Sequence, residues 1–131
     1  MTDKKTDKKE LGIRGEKFAV RYLKKNKYRI ILRNFSCHFG EIDIIARKDN
    51  YIVFVEVKTR KEDSMLSPRF AVDIKKQKKI INTSEFFLRK YKTNLLQRYD
   101  IAEVFVNDKN KLSIDYLENA FYADKTDIYK R

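Results

Sequence analysis

Gly40-Glu-Ile-Asp-Ile-Ile-Ala-Arg-Lys48 and Tyr51-Ile-Val-Phe-Val-Glu-Val-Lys-Thr59, separated only by Asp49-Asn50, decide what this chain can fold into. Both runs are rich in β-branched residues and the spacer is a turn former, so they read as two antiparallel strands of a hairpin. Strand side chains alternate between faces. On the second run Ile52, Phe54, Glu56 and Lys58 share one face, with Val53, Val55 and Val57 on the other. Apolar residues on both faces describe a central strand covered on both sides. On the first run Glu41 and Asp43 go with Ile45, while Ile42, Ile44 and Ala46 face away.

A two-residue turn at Asp49-Asn50 sets Lys48 opposite Tyr51 and thereby fixes every other pair. Asp43 then falls opposite Glu56, and Glu41 opposite Lys58. Opposed side chains have Cβ atoms roughly 4.5–5.5 Å apart. Two carboxylates at that spacing repel, and burying charge without a partner is costly. A divalent cation removes the conflict, because Mg²⁺ takes hard oxygen ligands, typically one or two carboxylates with waters and substrate phosphate oxygens. Lys58 beside it would neutralise charge on a phosphodiester or orient an attacking water. The competing reading is structural: Lys58 pairs with Glu41 or Glu56, and Asp43 is solvated at the end of the sheet.

Outward from this hairpin the pattern continues. Leu11, Gly15, Phe18, Ala19, Tyr22 and Leu23 recur at helical spacing over Glu10–Asn26. Tyr28–Arg33 reads as a first strand, and Arg60–Pro68 as a loop with the only proline. A second helix is expected over Phe70–Tyr91, with Ile74, Gln77, Ile81, Leu88 and Tyr91 on one face. Tyr99–Val106 and Lys111–Leu117 form a closing hairpin around Asn107–Asn110. The order is α-β-β-β-α-β-β, which predicts a mixed α/β sheet flanked by helices. A polar tail is expected over residues 1–9, one domain over 10–121 and a second tail over 122–131.

Composition narrows the partners. The 131 residues fit one domain, with 42% hydrophobic residues to build a core. Lys and Arg number 31 against 19 Asp and Glu, a formal charge of +12 that favours a polyanion. No apolar run approaches the roughly 20 residues of a spanning helix. No apolar segment follows the charged N-terminus, so a cytoplasmic location is expected. The single Cys37 excludes an internal disulfide and a cysteine-rich zinc site. Lys75, Lys76, Lys78 and Lys79 make a basic helix face, either simply solvated or in contact with phosphates. His38, the only histidine, is read as a bystander rather than a base, and Cys37 as a packing residue.

Gly15-Glu16, Phe39-Gly-Glu-Ile-Asp-Ile-Ile-Ala46, Val53-Phe-Val-Glu-Val-Lys-Thr-Arg60, Ala71-Val with Lys76-Gln77, and Arg98-Tyr-Asp100 stand in an order that resembles the YraN-like family of bacterial nuclease-like proteins. That family belongs to the restriction-endonuclease-like superfamily and is similar to archaeal Holliday-junction resolvases. The resemblance covers about residues 10–121. It implies a restriction-endonuclease-like mixed central sheet, with Asp43 and Glu56 as metal-binding acids and Lys58 as the catalytic lysine. It also implies Glu16 as a further acid brought towards the metal, and Gln77 as a polar residue that the second helix lends to the site. Glu41 belongs to the Gly-Glu-Ile-Asp motif, in a supporting position beside Lys58. The chain departs from the family pattern at Ser36 and His38, where basic residues are common, and at Tyr99, where phenylalanine is usual.

Two functions are therefore expected from different classes. One is a nuclease that hydrolyses DNA phosphodiester bonds with Mg²⁺, or Mn²⁺ in its place, on branched or junction DNA. The other is a non-catalytic nucleic-acid-binding module with an idle acidic site. Cutting a symmetric junction would call for a homodimer, though the sequence marks no dimer patch.

Overall fold

The computed structural model of the chain describes residues 4–62 and 72–123, with side chains from residue 7 onward. Its elements are α1 (Lys4–Lys25), β1 (Arg29–Cys37), β2 (Gly40–Lys48), β3 (Tyr51–Lys61), α2 (Ile74–Lys90), β4 (Leu96–Val106) and β5 (Leu112–Phe121). This is the expected α-β-β-β-α-β-β order. The five strands form one sheet in sequence order; β3 and β4 run parallel, and every other neighbouring pair is antiparallel. A parallel pair needs a crossover connection, and α2 lies in that connection.

Each helix covers one face. On the α1 side, Ala19, Val20 and Leu23 pack with Ile44, Ala46, Val53, Val55, Ala102 and Val104. On the α2 side, Ile80 and Phe87 pack with Ile45, Ile52, Phe54, Tyr99 and Ile101. The alternation read from β3 is borne out, since Val53 and Val55 go to α1, and Ile52 and Phe54 to α2.

Several boundaries and faces differ from the sequence reading. α1 begins at Lys4, so residues 4–9 are helical rather than a tail. Lys and Glu are good helix formers, and Asp7 in the first turn favours the positive end of the helix dipole. The tail predicted over 1–3 and most of that over 122–131 lie outside the described residues, as do residues 63–68 of the predicted Arg60–Pro68 loop and the predicted start of the second helix at Phe70; Arg60 and Lys61, expected in that loop, continue β3 instead. α2 starts at Ile74, where Asp73 accepts the amide of Lys76 at 2.7 Å as an N-cap. Its buried stripe is Ile80, Thr83, Ser84 and Phe87, while Ile74 and Tyr91 are exposed. The two hydroxyls hide this stripe from a hydrophobic pattern, yet both are satisfied inside: Thr83 donates to the carbonyl of Lys79, and Ser84 to that of Ile81.

Further differences lie at the two edges of the sheet. β1 runs on to Cys37 and turns over at Asn34, whose φ is +55°. Arg33 reaches Glu16 of α1, whereas Phe35 packs edge-on to Phe87 of α2. Ile42 is the register partner of Phe35 and follows it to the α2 side, instead of facing with Ile44. β5 extends to Phe121 through a register shift marked by Asn119, φ +53°, so that the Phe121 ring stacks on Tyr99 at 5.2 Å.

Candidate metal centre

The β2–β3 ladder has the register that the two-residue turn requires, from Lys48 opposite Tyr51 to Ile44 opposite Val55. There the strands part. In the fork the Asp43 side chain does what a backbone carbonyl would have done: its Oδ2 accepts the amide of Val57 at 2.8 Å. Glu56 follows Phe54 on the α2 side, and Lys76 from the first turn of α2 sets its Nζ 3.5 Å from Glu56 Oε1. Asp43 sits at the seam of the two faces, feeling the charges of Glu16 from α1 and Lys76 from α2.

Both acids hold their protons unusually well. Burial pushes Asp43 up to about 6, with Glu16 and Glu41 adding to the rise and the Val57 amide and Lys76 opposing it. Burial pushes Glu56 up to about 7, the charge of Asp43 raising it further while Lys76 and Lys58 pull it down. Two desolvated, mutually repelling carboxyls are a hard-oxygen donor set short of positive charge. This chemistry fits Mg²⁺, which needs only one or two carboxylates from a protein. Among the described residues, no three or more His, Cys, Asp or Glu gather into a fuller cation cage.

The remaining expected residues fall at different distances from this pair. Gly15 lets α1 seat on β3, since a Cβ there would lie 1.9 Å from Thr59 Oγ1. The close approach carries Glu16 to the fork, but its carboxylate is held by Arg33, whose Nε and Nη2 are each 3.2 Å from Oε1. Lys58 lies in register with Glu103 of β4 rather than within the β2–β3 ladder opposite Glu41. Its charge still acts on Glu56. Glu41 is exposed, in register with Ser36. Gln77 donates through Nε2 to the carbonyl of Val72 at 2.9 Å, tying down the entry to α2. Lys75, Lys78 and Lys79 are exposed on α2. Lys76 is drawn out of that basic run to Glu56, because it stands one turn before Ile80 on the buried stripe. His38 packs its ring on Phe39 and Phe86, and Cys37 is a half-buried free thiol.

Residues 15–104 match the family described as "Uncharacterised protein family UPF0102". The chain belongs to the UPF0102 family. A UPF0102 protein of Caldicellulosiruptor saccharolyticus is 45% identical over 117 residues, covering 88% of this chain and 99% of the relative. One from Caldanaerobacter subterraneus subsp. tengcongensis is 43% identical over 122 residues, covering 90% and 99%. One from Parabacteroides distasonis is 40% identical over 114 residues, covering 87% and 93%. The match supports the family read from the motifs and carries no statement of activity.

The UPF0102 match runs from Gly15 to Val104 and so takes in the whole fork. It also takes in two polar groups that sequence reasoning did not place. Arg60 pairs with Glu103, a fully buried carboxylate in the otherwise apolar second half of β4. A lone acid within Ile101-Ala-Glu-Val-Phe-Val106 was the available signal. The Arg98-Tyr-Asp100 motif is a second such group, on the α1 side of β4. Arg98 donates to both oxygens of Asp100 at 3.0 and 2.9 Å, and Tyr116 and the Asn119 amide also donate to that carboxylate. Four donors saturate the buried Asp100, so this motif holds β4, β5 and Tyr28 together. No helix among the described residues is long and apolar enough to cross a membrane.

Proposed function

We propose that the chain is a metal-dependent nuclease of the restriction-endonuclease-like superfamily, hydrolysing phosphodiester bonds of DNA, with branched or junction DNA as the substrate class. The observation that carries this reading is the juxtaposition of Asp43 and Glu56, two desolvated carboxyls with raised affinity for protons, in the fork where β2 and β3 separate. The Val57 bond accounts for Asp43 and the Lys76 contact for the charge of Glu56, but neither gives a reason to set two buried carboxyls beside each other. The mixed five-stranded sheet with a helix on each face agrees with the superfamily.

Asp43 and Glu56 would hold Mg²⁺, or Mn²⁺ in its place, and the ion would supply Lewis acidity at a phosphoryl oxygen and a more acidic water. The chain's own groups prepare the rest. The Val57 amide fixes one oxygen of Asp43, so this acid is oriented before any ligand arrives. Glu56 would hold the ion as the carboxylate, its proton going to solvent, and Lys76 would then stand as an ammonium next to the site. Lys58 stands within electrostatic reach of Glu56, and its charge can oppose the negative charge that grows on a phosphate in the transition state. The +12 net charge draws the polyanion in.

The test is incubation of the protein with end-labelled branched and linear DNA in Mg²⁺, Mn²⁺ or chelator. Cleavage in the metal arms that disappears in Asp43→Asn/Glu56→Gln supports the nuclease. DNA that is bound but left intact in every arm would return the chain to a binding module.

A further inference from the structure

A cleft of about 860 Å³ opens between the N-terminal half of α1 and the C-terminal end of β3, and Asp43 lies at its inner end. Lys8 and Lys9 stand on its α1 rim and Lys61 on its β3 rim, all exposed. Between them the wall is apolar: Leu11 is half-buried and Ile13 is 47% exposed, an aliphatic side chain facing water in a charged surface. Arg60 also lines the cleft, but its guanidinium is engaged with the buried Glu103. Turning about the helix by one residue changes the sign. Asp7 and Glu10 line the neighbouring cleft with Glu62 and Asp108, and only Leu11 and Lys61 belong to both. Glu16, paired with Arg33, is the other acid of the first cleft, and Arg14 and Lys61 stand in the second, so the α1 ridge separates a cleft of net positive lining that reaches Asp43 from one of net negative lining that does not.

We propose that the basic cleft is the track along which one unpaired strand of the nucleic acid passes Asp43. Its phosphates are met by Lys8, Lys9 and Lys61, and its sugars and bases by Leu11 and Ile13. This rests on the nuclease reading and adds to it a strand path and a substrate class, DNA with a single-stranded segment such as a flap or a frayed branch. The volume favours one strand: it is of the size that encloses a small organic ligand, while a duplex has a major groove alone about 12 Å wide. The pairing of cations on the rims with an apolar wall is the arrangement that holds a strand by its backbone and its unstacked bases. The exposed lysines of α2 lie across the sheet from this channel and are not needed for it.

The inference is tested by fluorescence anisotropy of labelled single strand, 5′-flap and blunt duplex DNA, titrated with salt, in the presence of Ca²⁺ to suppress cleavage. The wild type should bind the single strand and the flap more tightly than the blunt duplex. Lys8→Gln/Lys9→Gln/Lys61→Gln should reduce the salt slope on single strand by about 2, from roughly 0.7 per phosphate contact. Ile13→Ser should weaken binding several-fold and leave the slope alone. All three variants change exposed side chains, and circular dichroism melts check that they fold. If the slope is kept in the cleft variant but lost in Lys75→Gln/Lys78→Gln/Lys79→Gln, the track is overturned while the nuclease reading stands. Equal affinity for blunt duplex and flap overturns the single-strand assignment. A wild type that binds none of the three overturns both.

Discussion

Asp43 is bonded to the backbone of the neighbouring strand: its Oδ2 accepts the Val57 amide at 2.8 Å, two residues beyond the last regular pair, Ile44 with Val55. The acid therefore has one oxygen committed to structure and one available for a ligand. Replacing it separates the two roles. Asp43→Asn keeps an acceptor for Val57 and removes a charge that repels Glu56, so without metal at pH 7.5 its melting temperature should exceed that of the wild type. Asp43→Ala loses the acceptor as well and should be less stable than Asp43→Asn by about 1 kcal/mol. Both should lose Mn²⁺ binding in calorimetry. Retained binding would place the ion elsewhere.

The raised proton affinity of Asp43 (about 6) and Glu56 (about 7) sets a pH dependence. Unfolded carboxyls titrate near 4. The folded state thus holds more protons than the unfolded state between about pH 4 and 7, and stability must fall as pH rises through that window. The acids contribute no penalty below pH 4 and their full penalty above 7. Chelator-treated protein should show the fall in thermal melts, and Asp43→Asn/Glu56→Gln should show a flatter profile. Saturating Mn²⁺ at pH 7.5 should restore the lost stability. A double variant with an unchanged profile would mean that other groups set it.

On the proposed reading Lys76 would compete with a cation for Glu56. Its ammonium lies 3.5 Å from Oε1, and nearly half of the side chain is exposed, so the contact can be given up at little cost. Lys76→Gln should tighten Mn²⁺ binding by a factor of a few, because a positive charge leaves the site. Weaker binding in calorimetry would mean that Lys76 orients Glu56 for the ion instead of opposing it.

Lys58 distinguishes chemistry from architecture. If its charge counts only in the transition state, Lys58→Met should reduce single-turnover cleavage by on the order of 10²–10³ and leave DNA affinity nearly intact. Lys58→Arg should recover only part of the rate, since a forked guanidinium does not replace a compact ammonium. A Lys58→Met protein that melts earlier yet cuts at the wild-type rate would make the lysine a structural partner.

Gly15→Ala tests the seat of α1. The new methyl would meet Thr59 Oγ1 at 1.9 Å and Thr59 Cβ at 2.9 Å, so the helix must lift from β3. A loss of about 1–3 kcal/mol is expected in urea unfolding. Thr59→Ala should rescue part of it, because Oγ1 goes but Cβ stays. Additive losses in the double variant would show that the two residues do not meet.

The hairpin register and the two-sided burial of β3 were legible because period-two patterning and a two-residue turn leave little choice. The juxtaposition of Asp43 and Glu56 followed from them. The inward face of α2 was not legible, since Thr83 and Ser84 sit where a hydrophobic pattern expects Leu or Ile and are satisfied only by bonds that need the fold. The face of Ile42 is not legible from period-two patterning, since Ile42 follows its register partner Phe35 to the α2 side beyond the left-handed Asn34. Lys76 was read with its neighbours as one basic run, although its position one turn before Ile80 carries it inward to Glu56. The Glu16–Arg33 and Arg60–Glu103 pairs join residues distant in sequence, and no local spacing announces them.

The parallel pairing of β3 with β4 has a consequence for how the chain is made. β1, β2 and β3 are joined by short turns, so they can assemble as soon as they are synthesised, with Asp43 and Val57 only 14 residues apart. β4 arrives only after α2. Until then β3 offers a bare edge to any other nascent chain. Its first half, Tyr51–Val55, has no charge, but Glu56, Lys58, Arg60 and Lys61 load the second half with it. Charges at that edge oppose pairing with another copy. The stretch of β3 that carries Glu56 and Lys58 into the fork is thus also the stretch whose charge should keep the unfinished sheet from pairing with another copy.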